Sequence, residues 1–138
     1  YYKLHPSVKK WLVETKDIAS ELGYVETLLG RRRYLPDINS GVPMIRASAE
    51  RMATNAPIQG TAADLLKMAM IEIDKELNDI STKTNMLLTV HDEIVFEVPK
   101  KDTKKVTKFI KNKMENIYKL RVPIKVDIHS GKNWGECK

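Results

Sequence analysis

The chain has 138 residues, 24 basic and 18 acidic side chains, a net charge of +6, and 42% apolar and 30% charged residues. That is enough apolar chain to bury a core and an ordinary balance for a globular chain, so disorder is not expected. No apolar run reaches the length of a membrane span and the first residues lack the pattern of a secretory leader, so neither a membrane partner nor secretion is expected. Cys137 is the only cysteine, which excludes an internal disulfide and a cysteine-based zinc site and suits a reducing compartment.

The distribution of charge says more than its total. Residues 100–119 hold eight lysines against two acids, while residues 46–99 hold five basic and nine acidic side chains. A basic rim beside an acidic centre suits a polyanion handled through metal ions. For the lysine run alone, a solvated face is the simpler account.

In chain order, residues 6–22 predict a helix. Pro6 suits its first turn, Val8, Leu12, Ile18 and Leu22 form an apolar stripe with Trp11 beside it, and Gly23 is a natural stop. Residues 24–29 and 31–36 read as two extended pieces around Gly30. Arg31, Arg32 and Arg33 along a strand point to alternate faces, so they cannot all serve one site. Their planar forks suit phosphate, the plain alternative being a solvated hairpin edge.

Turn chemistry over residues 37–43 marks the best internal boundary. A helical pattern resumes at Met44, with Ile45, Ala49, Met52 and Ala56 on one face. Beside that face run Arg51, Asn55 and Gln59, four residues apart, a cation and two amides able to follow a nucleic-acid groove. Minor-groove acceptors are nearly the same for every base pair, so amide contacts there would check duplex shape without reading sequence. Pro57 predicts a kink or restart before Gln59, and Thr61 a cap for a new helix running to about Asp79. That helix would bury Leu65, Leu66, Ala69, Met70, Ile73, Leu77 and Ile80, with Ala62 also inward and Asp64 serving the macrodipole at its start.

Residues 87–98 read as two apolar strands with His91-Asp92-Glu93 set in the bend. Adjacent carboxylates repel each other and attract a cation, and Mg²⁺ takes oxygen ligands of this kind. A solvated turn with a chance acidic pair is the competing account. A lysine-rich helix over 102–118, with Val106, Phe109, Ile110, Met114, Ile117 and Tyr118 inward, and an alternating strand at 124–128 follow, and Trp134 is expected to pack back.

Three stretches in this order resemble the family A (DNA polymerase I type) DNA polymerases: GYVETL through GRRRYLP at residues 23–36, ERMATNAPIQGTAAD at 50–64, and VHDE at 90–93. The resemblance runs from Pro6 to Trp134. It implies an α+β fold in which an antiparallel palm-type sheet, made of the 86–98 hairpin and the 124–128 strand, is covered by helices. Residues 1–44 would be the last part of the fingers, a helix plus hairpin forming a separate lobe, and residues 45–138 most of the palm.

It further implies that Asp92 is one of two aspartates holding the catalytic Mg²⁺ ions (Mn²⁺ as the alternative), with Glu93 an auxiliary acid and His91 by the primer terminus. Arg51, Asn55 and Gln59 would contact the template–primer duplex, and Arg33 would lie near template phosphates. The implied reaction is nucleotidyl transfer from dNTP to a primer 3′-hydroxyl by two metal ions, in the bacterial nucleoid or an organelle.

The family's other metal-binding aspartate, and its fingers helix with the nucleotide-holding lysine and tyrosine, have no counterpart here. The segment alone is therefore expected to be inactive without the remainder of the polymerase chain. A non-catalytic duplex-binding module and a metal-dependent phosphohydrolase built on Asp92-Glu93 are the competing functions.

Overall fold

Proline and glycine set the limits of the first helix in the computed structural model, which describes residues 4–137. Helix α1 spans Pro6–Leu22 with Pro6 in its first turn. It ends at Gly23, whose φ of 76° lets its N–H close on the Ala19 carbonyl. The buried face differs from the expected stripe. Thr15 and Ala19 are buried, whereas Ile18 and Leu22 are about half exposed. Alanine allows close approach of neighbouring backbone, and the Thr15 hydroxyl can be buried because it donates to the Trp11 carbonyl at 2.7 Å.

Strands β1 (Tyr24–Glu26) and β2 (Arg32–Tyr34) pair antiparallel in the register Tyr24↔Tyr34, Val25↔Arg33, Glu26↔Arg32. They are shorter than the sequence suggests, because Gly30, at φ 83°, turns the chain back onto the Thr27 carbonyl at 3.0 Å. Val25, Leu35 and Ile38 join Ala19, Ala49 and Ala53 in a first core, with Ala56 packed against it.

Helix α2 runs without interruption over Pro43–Ile80, 38 residues with Pro57 inside it. The expected break and restart are therefore corrected: Thr61 caps nothing, and Asp64 lies within a helix. An interior proline costs about 3 kcal/mol of helix propensity. Here tertiary contacts on both sides of it hold the helix together, with Ala53 and Ala56 in the core before it and side-chain bonds at Thr61 and Asp64 after it.

The chain divides into two compact units, Tyr1–Asp64 and Leu65–Lys138, with α2 contributing to each. In the second, β3 (Asn85–Val90) and β4 (Glu93–Glu97) form an antiparallel hairpin. The register runs Met86↔Phe96, then Leu88↔Val95, so Leu87 is an extra residue at a bulge. A short 3₁₀ turn, Lys100–Asp102, leads into α3 (Thr103–Glu115). Ile73, Leu77, Val106 and Ile110 make the second core, and Met86, Phe96 and Val98 from the hairpin pack on it. The helix face of α2 and the apolar face of α3 thus cover the hairpin as expected. Buried Ala69 fits the same stripe, while Ala62 is exposed.

Three expectations fail in this unit. Helix α3 stops at Glu115, so Ile117 and Tyr118 lie beyond it. Residues 124–127 alternate between half-buried and exposed, with Ile128 exposed as well, and they form no strand, since no strand among the described residues pairs with them. The Val126 N–H is taken instead by the Glu115 carboxylate at 3.1 Å. Trp134, in a final 3₁₀ turn, is 52% exposed. The architecture is α+β, mixed helices with small antiparallel sheets.

Candidate functional site

The first unit holds a cleft of about 340 Å³, lined by Arg31 and Arg33 from the β1–β2 hairpin and by Met52, Asn55 and Gln59 from α2. Continuity of the helix through Pro57 keeps Arg51, Asn55 and Gln59 on one exposed line. The structure thus brings Arg33 together with Asn55 and Gln59. Arg51 lies on the same line, outside the cleft lining.

The three arginines have three fates. Arg32 does not line the cleft; it donates to Glu26 at 2.9 Å and lies 4.5 Å from the centre of the Tyr24 ring. The Glu26 hydrogen bond, then that of Tyr34, raise the pKa of its guanidinium. Arg31 donates Nε to Asp64 Oδ1 at 2.7 Å and Nη2 to the Gly60 carbonyl at 3.1 Å. Arg33 has no side-chain partner among the described residues, so its fork is open to an anion. Sequence reasoning missed Arg31 and Asp64 as a pair because 33 residues separate them. The only local hint was a glycine in the middle of a helical pattern.

The second place is the tip of the β3–β4 hairpin. Val90↔Glu93 is the last pair, so His91 and Asp92 alone make a two-residue loop and Glu93 is the first residue of β4. Such loops favour turns with positive φ at the first position, normally glycine. His91 supplies it, at φ 55°, as the only non-glycine with positive φ among the described residues. His91, Asp92 and Glu93 are all exposed, and neither acid is in an ion pair among the described residues. Bringing both carboxylates close together without a cation costs electrostatic energy.

These donors are hard oxygens, as Mg²⁺ prefers, and Mg²⁺ commonly takes only one or two carboxylates, leaving the rest to water and phosphate. Among the described residues no three His, Cys, Asp or Glu side chains gather into a ligand group. Asp92 and Glu93 therefore fit as part of a Mg²⁺ ligand set and not as a closed cage. No helix of the described residues is long and apolar enough to cross a membrane.

The sequence model described as DNA polymerase family A matches residues 1–136, and the chain belongs to that family. It is 44% identical over 138 residues to the thermostable DNA polymerase I of Thermus thermophilus, covering 100% of this chain and 16% of that protein. It is 49% identical over the same length to DNA polymerase I of Streptococcus pneumoniae, again 16% of that protein. Among solved structures it is similar to the POL domain of Pol1 from M. smegmatis in complex with DNA primer-template and dNTP. The TM-score is 0.93 and the identity 40%, covering 99% of this chain and 24% of that one. The chain thus spans about a sixth of the length of the curated relatives it matches.

Proposed function

We propose that this chain is a segment of the polymerase domain of a DNA-directed DNA polymerase. In the intact enzyme it takes part in template-directed transfer of a nucleotide from dNTP to a primer 3′-hydroxyl. The observation that carries the reading is the exposed Asp92-Glu93 pair, Asp92 on the tight two-residue loop and Glu93 opening β4, neither in an ion pair among the described residues, in a chain of DNA polymerase family A. Residues 1–44 are assigned to the fingers and residues 45–138 to the palm. The place of action is the bacterial nucleoid.

The residues divide the work by chemistry. The guanidiniums of Arg33 and Arg51 take phosphate oxygens of the template–primer duplex. Asn55 and Gln59 each carry amide N–H donors that suit the acceptors every base pair shows in the minor groove. His91 stands beside the primer terminus, its left-handed backbone turning Asp92 outward. The Asp92 carboxylate, with Glu93 as auxiliary, holds Mg²⁺. Bound there, the ion supplies Lewis-acid activation of the 3′-hydroxyl and charge neutralisation at the triphosphate. This segment supplies only part of the ligand set and is inactive by itself.

Single-turnover incorporation by the full-length polymerase tests the reading. Asp92→Ala should lose about three orders of magnitude or more in rate, roughly 4 kcal/mol of barrier, with primer–template affinity within a few-fold of the parent. A rate within tenfold of the parent would sink the assignment and favour a duplex-binding module without chemistry.

A further inference from the structure

The turn between β1 and β2 is fastened to α2 at three points. The Leu28 N–H donates to Thr61 Oγ1 at 2.9 Å, and the Thr61 hydroxyl spends its own proton on the Pro57 carbonyl at 2.6 Å. The Arg31 fork holds the Asp64 carboxylate and the Gly60 carbonyl together, acceptors one helical turn apart on the same face. Between these bonds the turn seats directly on bare helix backbone, since a Cβ on Gly60 would stand 2.6 Å from Thr27 Cγ2. The Asp64 side chain is only 11% exposed, against 51% for Arg31, so the acid is the fixed half of the pair.

Arg33 stands two residues beyond Arg31, on the same face of the hairpin. It lines the cleft opposite Asn55 and Gln59, which belong to the stretch of α2 leading into the fastening. The separation of the open guanidinium from the two amides is therefore set by bonds that none of the three makes.

We propose that Arg31 and Asp64 are a positioning pair that fixes the width of this cleft, and with it the fit of Arg33, Asn55 and Gln59 to duplex DNA. The inference rests on the reading of the cleft as a duplex contact. Arg31 itself stays off the DNA, because a phosphate would have to displace a charge-assisted hydrogen bond of 2.7 Å to a nearly enclosed carboxylate.

A double-mutant cycle on the full-length polymerase, reading primer–template Kd against salt concentration, tests this. Arg33→Ala should weaken binding and lower the salt slope by about one unit. Arg31→Ala, and the isosteric Asp64→Asn that guards against misfolding of the larger truncation, should weaken binding about tenfold with the slope unchanged. In an Arg33→Ala background the further loss from Arg31→Ala should shrink to about threefold or less. Arg31→Lys, which keeps the charge but loses the fork, should behave like Arg31→Ala. Parental affinity in both Arg31→Ala and Asp64→Asn overturns the positioning role, as does a lowered slope in Arg31→Ala or full additivity with Arg33→Ala. An Arg33→Ala enzyme with parental affinity and slope instead overturns the reading of the cleft.

Discussion

Thr27 Cγ2 stands 2.6 Å from the point a Cβ on Gly60 would occupy. The methyl cannot rotate away cheaply. Threonine is stiff at χ1, and its hydroxyl accepts the Arg31 N–H at 3.1 Å. Gly60→Ala would gain about 1 kcal/mol of helix propensity but overpack the contact by about 1–3 kcal/mol. We expect the clash to win, with a net loss of about 1 kcal/mol in denaturant unfolding. Thr27→Ser, which removes the methyl and keeps the hydroxyl, should restore stability in the double variant. A Gly60→Ala protein more stable than the parent would contradict the close approach.

His91 holds a left-handed backbone at φ 55°. That conformation costs an L-residue about 1–2 kcal/mol, least for short polar side chains and most for β-branched ones. His91→Gly should be at least as stable as the parent, and His91→Val less stable by about 1–2 kcal/mol. Equal stability of the valine and parent proteins, measured by urea titration, would show that the turn can relax.

Asp102 sits where the chain enters α3. The Ser81 hydroxyl donates to it at 2.8 Å, and this bond, then the one from Lys105, lower its pKa below the usual carboxylate range. A lowered folded-state pKa means stability that is complete above the unfolded value of about 4 and lost as pH falls through the folded one. Acid should therefore erode this junction, and Ser81→Ala should move the acid unfolding midpoint to higher pH. Carboxylate titration followed by NMR checks the direction. An Asp102 pKa at or above the unfolded value would refute it.

Ile73 and Ile71 lie on opposite faces of α2, at 0% and 56% exposure. Ile73→Ala opens a cavity among Leu77, Val106 and Ile110 and should cost about 2–5 kcal/mol. Ile71→Ala should change stability by no more than about 0.5 kcal/mol. Comparable losses at both positions would mean that the apolar face has been assigned wrongly.

What the residues disclosed in advance was whatever depends on near neighbours. Pro6 and Gly23 bracket α1 because each acts within one turn, and the spacing of Arg51 and Asn55 follows from helical geometry, while Gln59 joins their line only because the helix continues through Pro57. Errors came where distant contacts decide. Local propensity argues for a break at Pro57, yet contacts at Ala53, Thr61 and Asp64 keep α2 whole. The alternation at 124–128 signals a strand, but a strand needs a partner, and none adjoins it among the described residues. The larger side chains Ile18 and Leu22 drew attention from Thr15 and Ala19, whose small size is what lets that face pack. At the candidate site, the Asp92-Glu93 motif was visible as adjacent letters. Arg31 and Asp64 became partners only once the chain had folded.

The β3–β4 hairpin has no third strand beside it among the described residues, and Leu87 and Leu88 at its bulge are 56% and 42% exposed. Two strands with vacant ladders make a template for any extended chain of suitable register. In a tube the segment should therefore be colloidally troublesome, held apart mainly by the like charge of its lysines. Light scattering should rise with concentration, and rise further as added electrolyte weakens that repulsion.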